Sequence, residues 1–229
     1  MYTPAHFQAP SDPAVYDLIR AHPLGALVHL HAGGLDANHL PWELETPEQG
    51  PARLIGHIAR ANPLCTQLQD GAQVLVIFQA EQGYISPNWY PSKHEHHKLV
   101  PTWNYRVVHI HGTVRLHDDK KWLLAAIGKL TRTHEQRTHH ALPHAAGPWK
   151  IKDTPPEHLE SLIANIVGIE IAVQRVEAKF KLSQNRSEAD MHSAATQVSA
   201  AGNPALGTAM GRPEPLTQCF CRKAATARG

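Results

Sequence analysis

Alternation of apolar and polar residues predicts the strands near the start of this chain. Apolar residues recur at every second position from Leu24 to Leu30 (Leu24, Ala26, Val28 and Leu30) and share one strand face, while His29 and His31 share the other. A Gly-Gly turn follows, and residues 35–45 are predicted to return as the second strand of a hairpin. Pro41 has no N–H to donate, which predicts an edge position or a bulge for that second strand.

Four further stretches are predicted as strands. Gln73 to Gln79 is apolar on both faces, as in a central strand of a sheet or barrel. The others are Arg53 to Ile58, Arg106 to Leu116 and Ile169 to Val173. Val176 to Leu182 either continues the last of these strands or forms its partner.

Helical spacing of apolar residues predicts the helices. One helix begins at Ser11 or Asp12, and a short one has Asn62 as its cap and Pro63 in its first turn. A longer helix, capped by Asp118 or Asp119, covers Lys120 to about Arg137. Thr154 to Glu157 is a capping box ahead of a further helix, whose pattern Gly168 breaks before the last strand, and Asp190 to Ala200 is a weak helix. Strands joined mostly by short turns, with the main helices late in the chain, predict an α+β fold. A small barrel with helices outside it is the simplest closure.

The stretch from Tyr84 to Tyr105 fits none of these patterns. It contains three of the five tyrosines, two of the five tryptophans, three prolines and a histidine cluster. Because prolines remove backbone donors, a long irregular loop is predicted here. Long ordered loops in compact domains usually carry function, although aromatic residues with polar tips also serve as packing groups.

Composition argues against several classes of protein. The chain has 229 residues, 42% of them hydrophobic, and a net charge of +2 at pH 7. So small a charge gives no support for a nucleic-acid-binding or membrane-binding surface. Three cysteines do not make a disulfide framework, and no apolar run approaches the about 18 residues of a membrane span. The first residues lack the pattern of a secretion signal, so a cytoplasmic protein is expected.

Three short segments have the chemistry to bind a ligand. In Gly56 to Pro63 a strand is followed by the start of a helix, with Arg60 at the junction. The helix N-terminus and the arginine can together bind an anion. The alternative is that the helix is simply capped and the arginine is solvated. Lys93 to Lys98 has metal-ligating residue types, but adjacent loop residues rarely face one ion, and Lys93 is equally suited to phosphate or carboxylate. Lys179 to Arg186 either meets an anionic ligand or is a solvated strand end.

The remaining polar groups predict neither a catalytic residue nor a metal site. The pairs His29/His31 and His109/His111 are interpreted as a histidine stripe facing solvent or an interface. No nucleophile–base signature and no acid–base pair of carboxylates is evident in the sequence. Trp103 can pack against a planar ring, and Asn104 can offer that ring both a donor and an acceptor.

Ten short motifs follow one another in an order that is typical of one family. They are MYTPAHF (1–7), HPLG (22–25), GLDANHLP (34–41), GHIARANP (56–63), VLVIFQ (74–79), YISPNWYPSKHE (84–95), VPTWNYRVVHIHG (100–112), LTRTHE (130–135), IVGIE (166–170) and FKLSQNR (180–186). Together they resemble the PaiB-type family, labelled FMN-binding negative transcriptional regulators. The resemblance covers about residues 1–210.

The resemblance implies an FMN-binding split β-barrel, mostly antiparallel and Greek-key-like with flanking helices. It also implies a homodimer with the flavin sites at the subunit interface. The resemblance implies that Asn38, His39 and Leu40 line the flavin, and that His57, Ile58, Ala59, Arg60 and Asn62 surround its ribityl chain and phosphate. It implies that Tyr84, Ser86, Trp103 and Asn104 close the site. Further expected contacts are Lys93, Lys181 and Gln184.

The expected organisation is a split-barrel domain over 1–186, a weakly helical extension over 187–210 and a disordered tail over 211–229. The family implies a negative transcriptional regulator that meets DNA directly or through another regulator, although neither a helix-turn-helix nor a basic stripe is evident. The alternative is a flavin-dependent oxidoreductase, an NAD(P)H-linked reductase or an oxidase, because flavin itself carries the redox chemistry. A haem-binding or haem-degrading protein is a more distant alternative.

Overall fold

The computed structural model describes residues 1–143 and 146–211. Contacts within the chain divide it into two units. The first unit comprises Met1–His22, Ile77–His109 and the chain from Val176 onward, and the second comprises Pro23–Val76 and Ile110–Arg175.

The described residues form seven strands and seven α-helices. The strands are β1 (Leu24–His31), β2 (Gly34–Pro41), β3 (Glu43–Glu45), β4 (Arg53–Ala59), β5 (Gln73–Ile85), β6 (Thr102–His117) and β7 (Ile166–Lys181). The helices are α1 (Asp12–Ala21), α2 (Leu64–Gln67), α3 (Lys93–His96), α4 (Lys120–Ala141), α5 (Pro156–Ala164), α6 (Glu188–Ala200) and α7 (Pro204–Gly211). This mixture of elements confirms the predicted α+β class.

All seven strands belong to one sheet, in the order β2-β1-β5-β6-β7-β4-β3. β1 pairs antiparallel with β2, so that Leu24 lies opposite Pro41 and His31 opposite Gly34. β4 pairs antiparallel with both β3 and β7. Pro41 ends β2, the edge strand, which confirms the position that its missing N–H predicted.

The loop predicted from Tyr84 to Tyr105 is shorter than expected. β5 continues to Ile85 and β6 already begins at Thr102, so the two ends of the stretch are strand. The three prolines of the stretch all lie between Ile85 and Thr102. The residues before and after them keep their backbone N–H groups and can therefore pair as strands. The middle of the stretch contains a 3₁₀ turn, Pro87–Trp89, and the short helix α3.

The predicted outward or interface-facing position of His29 on β1 is wrong. Only 2% of His29 is exposed, and Leu27 on the same face is fully buried. Leu24 and Leu30, on the opposite face, are 61% and 71% exposed. Burial of the imidazole is tolerated because Nε2 of His29 lies 3.1 Å from Oε1 of Gln67, which gives it a hydrogen-bond partner.

Gly168 was predicted to separate a helix from a strand, but it lies inside β7. A Cβ atom on Gly168 would lie 2.1 Å from Cζ3 of Trp122 on α4, so the missing side chain allows this close approach. Asp119 caps α4 as predicted, since its Oδ1 accepts from the N–H of Trp122 at 2.7 Å.

The extension predicted over 187–210 contains more helix than the sequence pattern indicated. Ser187 caps α6 by accepting from the N–H of Asp190, and the unexpected α7 follows after three residues. A Cβ atom on Gly207 would lie 1.8 Å from Oγ of Ser199, so this glycine lets the two helices pack closely. Gly211 ends α7, and the rest of the predicted tail lies outside the described residues. No helix in the described part of the chain is both long and apolar enough to cross a bilayer.

Candidate functional site

Two of the predicted flavin residues meet directly in the second unit. Nδ2 of Asn62 donates to Oδ1 of Asn38 at 3.0 Å, which joins β2 to the turn after β4. Oδ1 of Asn62 accepts from the N–H of Leu64 at 2.9 Å, so this residue also caps the start of α2, as predicted. Both asparagines are half-buried, which leaves one edge of each amide close to the surface.

Arg60 lies beside this pair in sequence, and its guanidinium is fully engaged by neighbours in the second unit. Nε donates to the carbonyl of Ala164 at 2.8 Å, and one terminal nitrogen donates to the carbonyl of Ile166 at 2.9 Å. Both terminal nitrogens also donate to the carboxylate of Asp118 in a bidentate pair. The hydrogen bond from Arg60 lowers the pKa of Asp118 below its usual value.

This geometry changes how the junction after β4 would bind an anion. α2 has only four residues, and the N–H of Leu64 is already taken by Asn62, so a helix terminus contributes little. The carboxylate of Asp118 occupies the fork of Arg60 as two phosphate oxygens would. An incoming phosphate must therefore displace an exposed aspartate, which is inexpensive compared with displacing a buried one.

The predicted site residues of β4 are divided between core and surface. Ile58 is buried and Ala59 is exposed. His57 is half-buried, and this burial lowers its pKa below the ordinary histidine value. The imidazole is therefore neutral at pH 7 and offers one donor and one acceptor to a ligand.

β2 divides its three predicted residues in the same way. Asn38 and Leu40 share one face, and His39 lies exposed on the other. Since adjacent side chains of a strand point in opposite directions, one flavin on one face of β2 cannot contact all three side chains.

The face that carries His39 is apolar at all its other positions. We call it the outer β1–β2 face; by the antiparallel register it consists of Leu24, Ala26, Val28, Leu30, Leu35, Ala37, His39 and Pro41. Its three leucines are 61%, 71% and 76% exposed, in chain order. Antiparallel sheets usually present a polar face to water, so an exposed face of this composition is typical of a binding surface.

In the first unit, two predicted aromatic residues lie side by side. The rings of Tyr84 on β5 and Trp103 on β6 are 6.5 Å apart between centroids and meet edge to face at 69°. Each is 49% exposed, and Nε1 of Trp103 donates to Oε1 of Gln82 at 3.2 Å. The pair therefore presents a fixed aromatic surface on which a planar ring can lie.

Asn104 follows Trp103 in β6 but points into the interior. It is fully buried, its Nδ2 donates to Oγ of Ser183 at 2.9 Å, and Sδ of Met210 lies 3.5 Å away. Its Oδ1 has no hydrogen-bond partner within the described residues. A ring that packs on Trp103 would thus lie on the strand face opposite the Asn104 side chain.

Ser86 and Lys93 are both engaged in the loop after β5. Oγ of Ser86 accepts from the N–H of Asn88 at 3.2 Å and caps the 3₁₀ turn. The ammonium of Lys93 donates to the side-chain oxygen of Asn88. A ligand at either residue would have to replace or share these local contacts.

Lys181 and Gln184 lie at the end of β7. Lys181 donates to Oγ1 of Thr102, and burial lowers the pKa of its ammonium group. Oε1 of Gln184 accepts from the N–H of Leu182 at 2.7 Å, and its amide nitrogen donates to the carbonyl of Phe180. Gln184 therefore stabilises the end of the strand, while Lys181 is a partly desolvated cation.

Sequence reasoning missed Asp118 as the partner of Arg60. Asp118 was considered only as a possible helix cap, and it lies 58 positions after Arg60 with two long strands between them. No spacing rule links positions so far apart, so only an alignment of many relatives would have carried this signal.

Comparison with known proteins identifies the family to which the chain belongs. Residues 1–175 match the model of a family described as "Putative FMN-binding domain". The chain is 30% identical over 204 residues to "Protease synthase and sporulation protein PAI 2" of Bacillus subtilis, which covers 89% of this chain and 92% of that protein. It is 35% identical over 156 aligned positions to the uncharacterized protein YKL070W of Saccharomyces cerevisiae, covering 60% of this chain and 92% of that protein.

Among solved structures, the FAD and haem binding protein from Mycobacterium smegmatis superposes with a TM-score of 0.50 at 19% identity. The match covers 85% of this chain and 80% of that chain, and at this identity it shows the fold alone. Fold and family together define a flavin-binding protein of the split β-barrel class. The chain belongs to the PaiB-type FMN-binding family, and its cofactor is FMN.

Proposed function

We propose that this protein is a cytoplasmic homodimer that binds FMN at its subunit interface and acts as a negative regulator of transcription. The observation that carries the proposal is the outer β1–β2 face. It is apolar and exposed in one chain, and it includes His39, one of the residues that the family resemblance implies for the flavin.

A second copy of the chain suits this face best. A two-fold dimer uses the same patch on both subunits, so a self-complementary apolar sheet face is sufficient to build it. Leu30 and Leu35 lie directly opposite each other in the register and form the most exposed part of the face. With this face buried between subunits, β2 would lie at the interface, with His39 facing the partner and Asn38, on the opposite strand face, facing the flavin.

The donor set of the second unit fits the phosphate and ribityl chain of FMN. Arg60 supplies a bidentate cation whose present partner, Asp118, is itself an anion. His57 is neutral and can donate or accept, and Asn38 and Asn62 offer amide edges near the surface. We assign the phosphate to Arg60 and the ribityl hydroxyls to these three residues.

The aromatic surface of the first unit fits an isoalloxazine ring, and in a site at the subunit interface we assign the ring to Tyr84 and Trp103 of the partner subunit. Leu40, Ile58 and Ala59 would contribute through their backbone or by packing. Asn104, Ser86, Lys93, Lys181 and Gln184 remain candidate contacts whose local partners a ligand would have to replace. When bound, FMN supplies electron transfer through its ring system.

The regulatory role is supported by the likeness to PAI 2 of Bacillus subtilis, which is named a protease synthase and sporulation protein and whose match covers 89% of this chain. Direct reading of DNA has less support. α6 and α7 are joined by a three-residue turn, as in a helix-turn-helix, but α7 has no basic residue and buries Leu206 and Met210. We therefore propose that regulation acts through another DNA-binding protein.

A flavin-dependent oxidoreductase is the second candidate. The observation that favours it is the exposure of Tyr84 and Trp103, because a flavin ring at such a surface stays open to a substrate or an electron donor. The chemistry would need no side-chain base, since the cofactor performs it.

Deletion of the gene, with measurement of all transcripts, tests the regulatory proposal. Repression predicts that a set of transcripts rises in the deletion strain and returns to normal with the wild-type protein but not with the Arg60→Ala variant. A deletion strain with unchanged transcripts contradicts this role. Oxidation of NADH or NADPH by the purified, FMN-loaded protein would then support the oxidoreductase.

A further inference from the structure

Three potential metal ligands meet at the end of the β1–β2 hairpin. His29 and His31 share one face of β1, and Asp36 on β2 lies directly opposite His29 in the register. One donor atom from each residue lies within 4.8 Å of the other two. The two imidazole rings are stacked, with centroids 5.4 Å apart and an angle of 25° between planes. Donor atoms at such distances need only small side-chain movements to reach a common ion at about 2.0–2.2 Å.

The hydrogen bonding of His29 leaves one ring nitrogen available for coordination. Its Nε2 faces Oε1 of Gln67 at 3.1 Å, and a carbonyl oxygen accepts but does not donate. The ring proton therefore belongs on Nε2, and Nδ1 keeps its lone pair. His29 is only 2% exposed, yet Nδ1 has no hydrogen-bond partner within the described part of the chain. A buried acceptor without a protein partner is unusual, and water or an ion commonly supplies the partner in such cases.

We propose that His29, His31 and Asp36 bind one divalent first-row transition ion, with Zn²⁺ as the ion that best suits the donor set. Two imidazoles and one carboxylate are a common set of protein ligands for such ions. The exposed position of Asp36 leaves a fourth coordination position open to water. Gln67 acts as the outer partner that orients the His29 ring.

Metal binding should change a hydrogen bond in the turn between β1 and β2. Nδ1 of His31 accepts from the N–H of Gly33 at 3.1 Å. Coordination through Nδ1 uses that lone pair, and coordination through Nε2 requires a proton on Nδ1, so the ion displaces this hydrogen bond in either case. Gly33 is exposed, and water can take its N–H. A Cβ atom on Gly33 would lie 2.7 Å from Cε1 of His31, so glycine here leaves room for the ring.

Titration of the FMN-loaded, full-length protein with Co²⁺ and Zn²⁺ tests the site. Visible absorption of bound Co²⁺ and competition with a chelating dye give stoichiometry and affinity. We expect one ion per chain and a loss of affinity of at least about tenfold in His31→Gln and in Asp36→Asn, with a similar loss in Gln67→Leu. His94→Gln is the matched control, because His94 is an exposed histidine in the other histidine-rich segment.

Two observations separate this site from adventitious binding. Zn²⁺ should shift the amide resonance of Gly33 in the wild type and leave it unchanged in Asp36→Asn, whose exposed side chain can be replaced without disturbing the core. FMN affinity should be equal in the wild type and in Asp36→Asn. Absence of saturable binding in the wild type, equal affinity in His31→Gln and Asp36→Asn, or loss of binding in His94→Gln would each overturn the proposal.

Discussion

Glutamate in place of Leu30 or Leu35 is expected to dissociate the homodimer. These leucines are 71% and 76% exposed in one chain. Full burial of a leucine side chain contributes about 1.5–3 kcal/mol, so burial of the exposed part of each contributes about 1–2 kcal/mol. In a two-fold dimer each residue occurs twice at the interface, so a single substitution removes about 2–4 kcal/mol from the free energy of dimerisation. This corresponds to a rise in the dimer dissociation constant of about 30-fold to 1000-fold, before the cost of burying a carboxylate is added.

Sedimentation equilibrium over a wide concentration range measures this constant directly. Leu142→Glu is the matched control, because Leu142 is 76% exposed but follows α4 rather than lying on the outer β1–β2 face. Its dissociation constant should equal that of the wild type. Wild-type values for both Leu30→Glu and Leu35→Glu, or dissociation caused by Leu142→Glu alone, would show that the dimer forms elsewhere.

Three further predictions concern the cofactor and stability. Arg60→Ala should weaken FMN binding about tenfold to hundredfold in a fluorescence titration. Asp118→Asn should tighten FMN binding by up to about fivefold, because it removes the carboxylate that competes with phosphate for Arg60. Unchanged FMN affinity in both variants would show that Arg60 does not bind the phosphate. Because burial lowers the pKa of His57, its contribution to stability is complete above the unfolded value of about 6.5 and is lost as the pH falls. His57→Gln should therefore show less loss of unfolding free energy between pH 7 and 5 than the wild type, and an identical pH profile would contradict this. Gly112→Ala should lower the unfolding free energy by about 1–3 kcal/mol in urea, since its Cβ would lie 2.3 Å from the backbone oxygen of Ala172; a fully stable variant would argue against this close strand contact.

Local chemistry made several elements predictable from the sequence. Oγ of Ser11 accepts from the N–H of Ala14 at the start of α1, and Asn62 caps α2, as short-range capping rules predict. The edge position of Pro41 follows in the same way from its missing N–H. Each of these features depends on residues within four positions of one another, which a single sequence displays.

Long-range contacts account for what the sequence did not reveal. The buried face of β1 carries His29, whose hydrogen-bond partner Gln67 lies 38 positions further along the chain. Leu30 lies on the opposite face of β1 and is exposed. The sequence pattern predicted that Gly168 ends a helix, but this residue lies within β7, where the absence of a side chain makes room for Trp122. The family resemblance supplied the set of candidate flavin residues, but only the structure separates His39 from Asn38 and Trp103 from Asn104 by strand face.

Sedimentation velocity of the FMN-loaded protein, followed at the visible absorption of the flavin, shows whether FMN binds at the subunit interface. If FMN binds at the subunit interface, all bound flavin should sediment with the dimer at one FMN per chain. Dilution should then release flavin as monomers form. Flavin that sediments with the monomer, or protein that carries no flavin after saturation with FMN, would contradict the account.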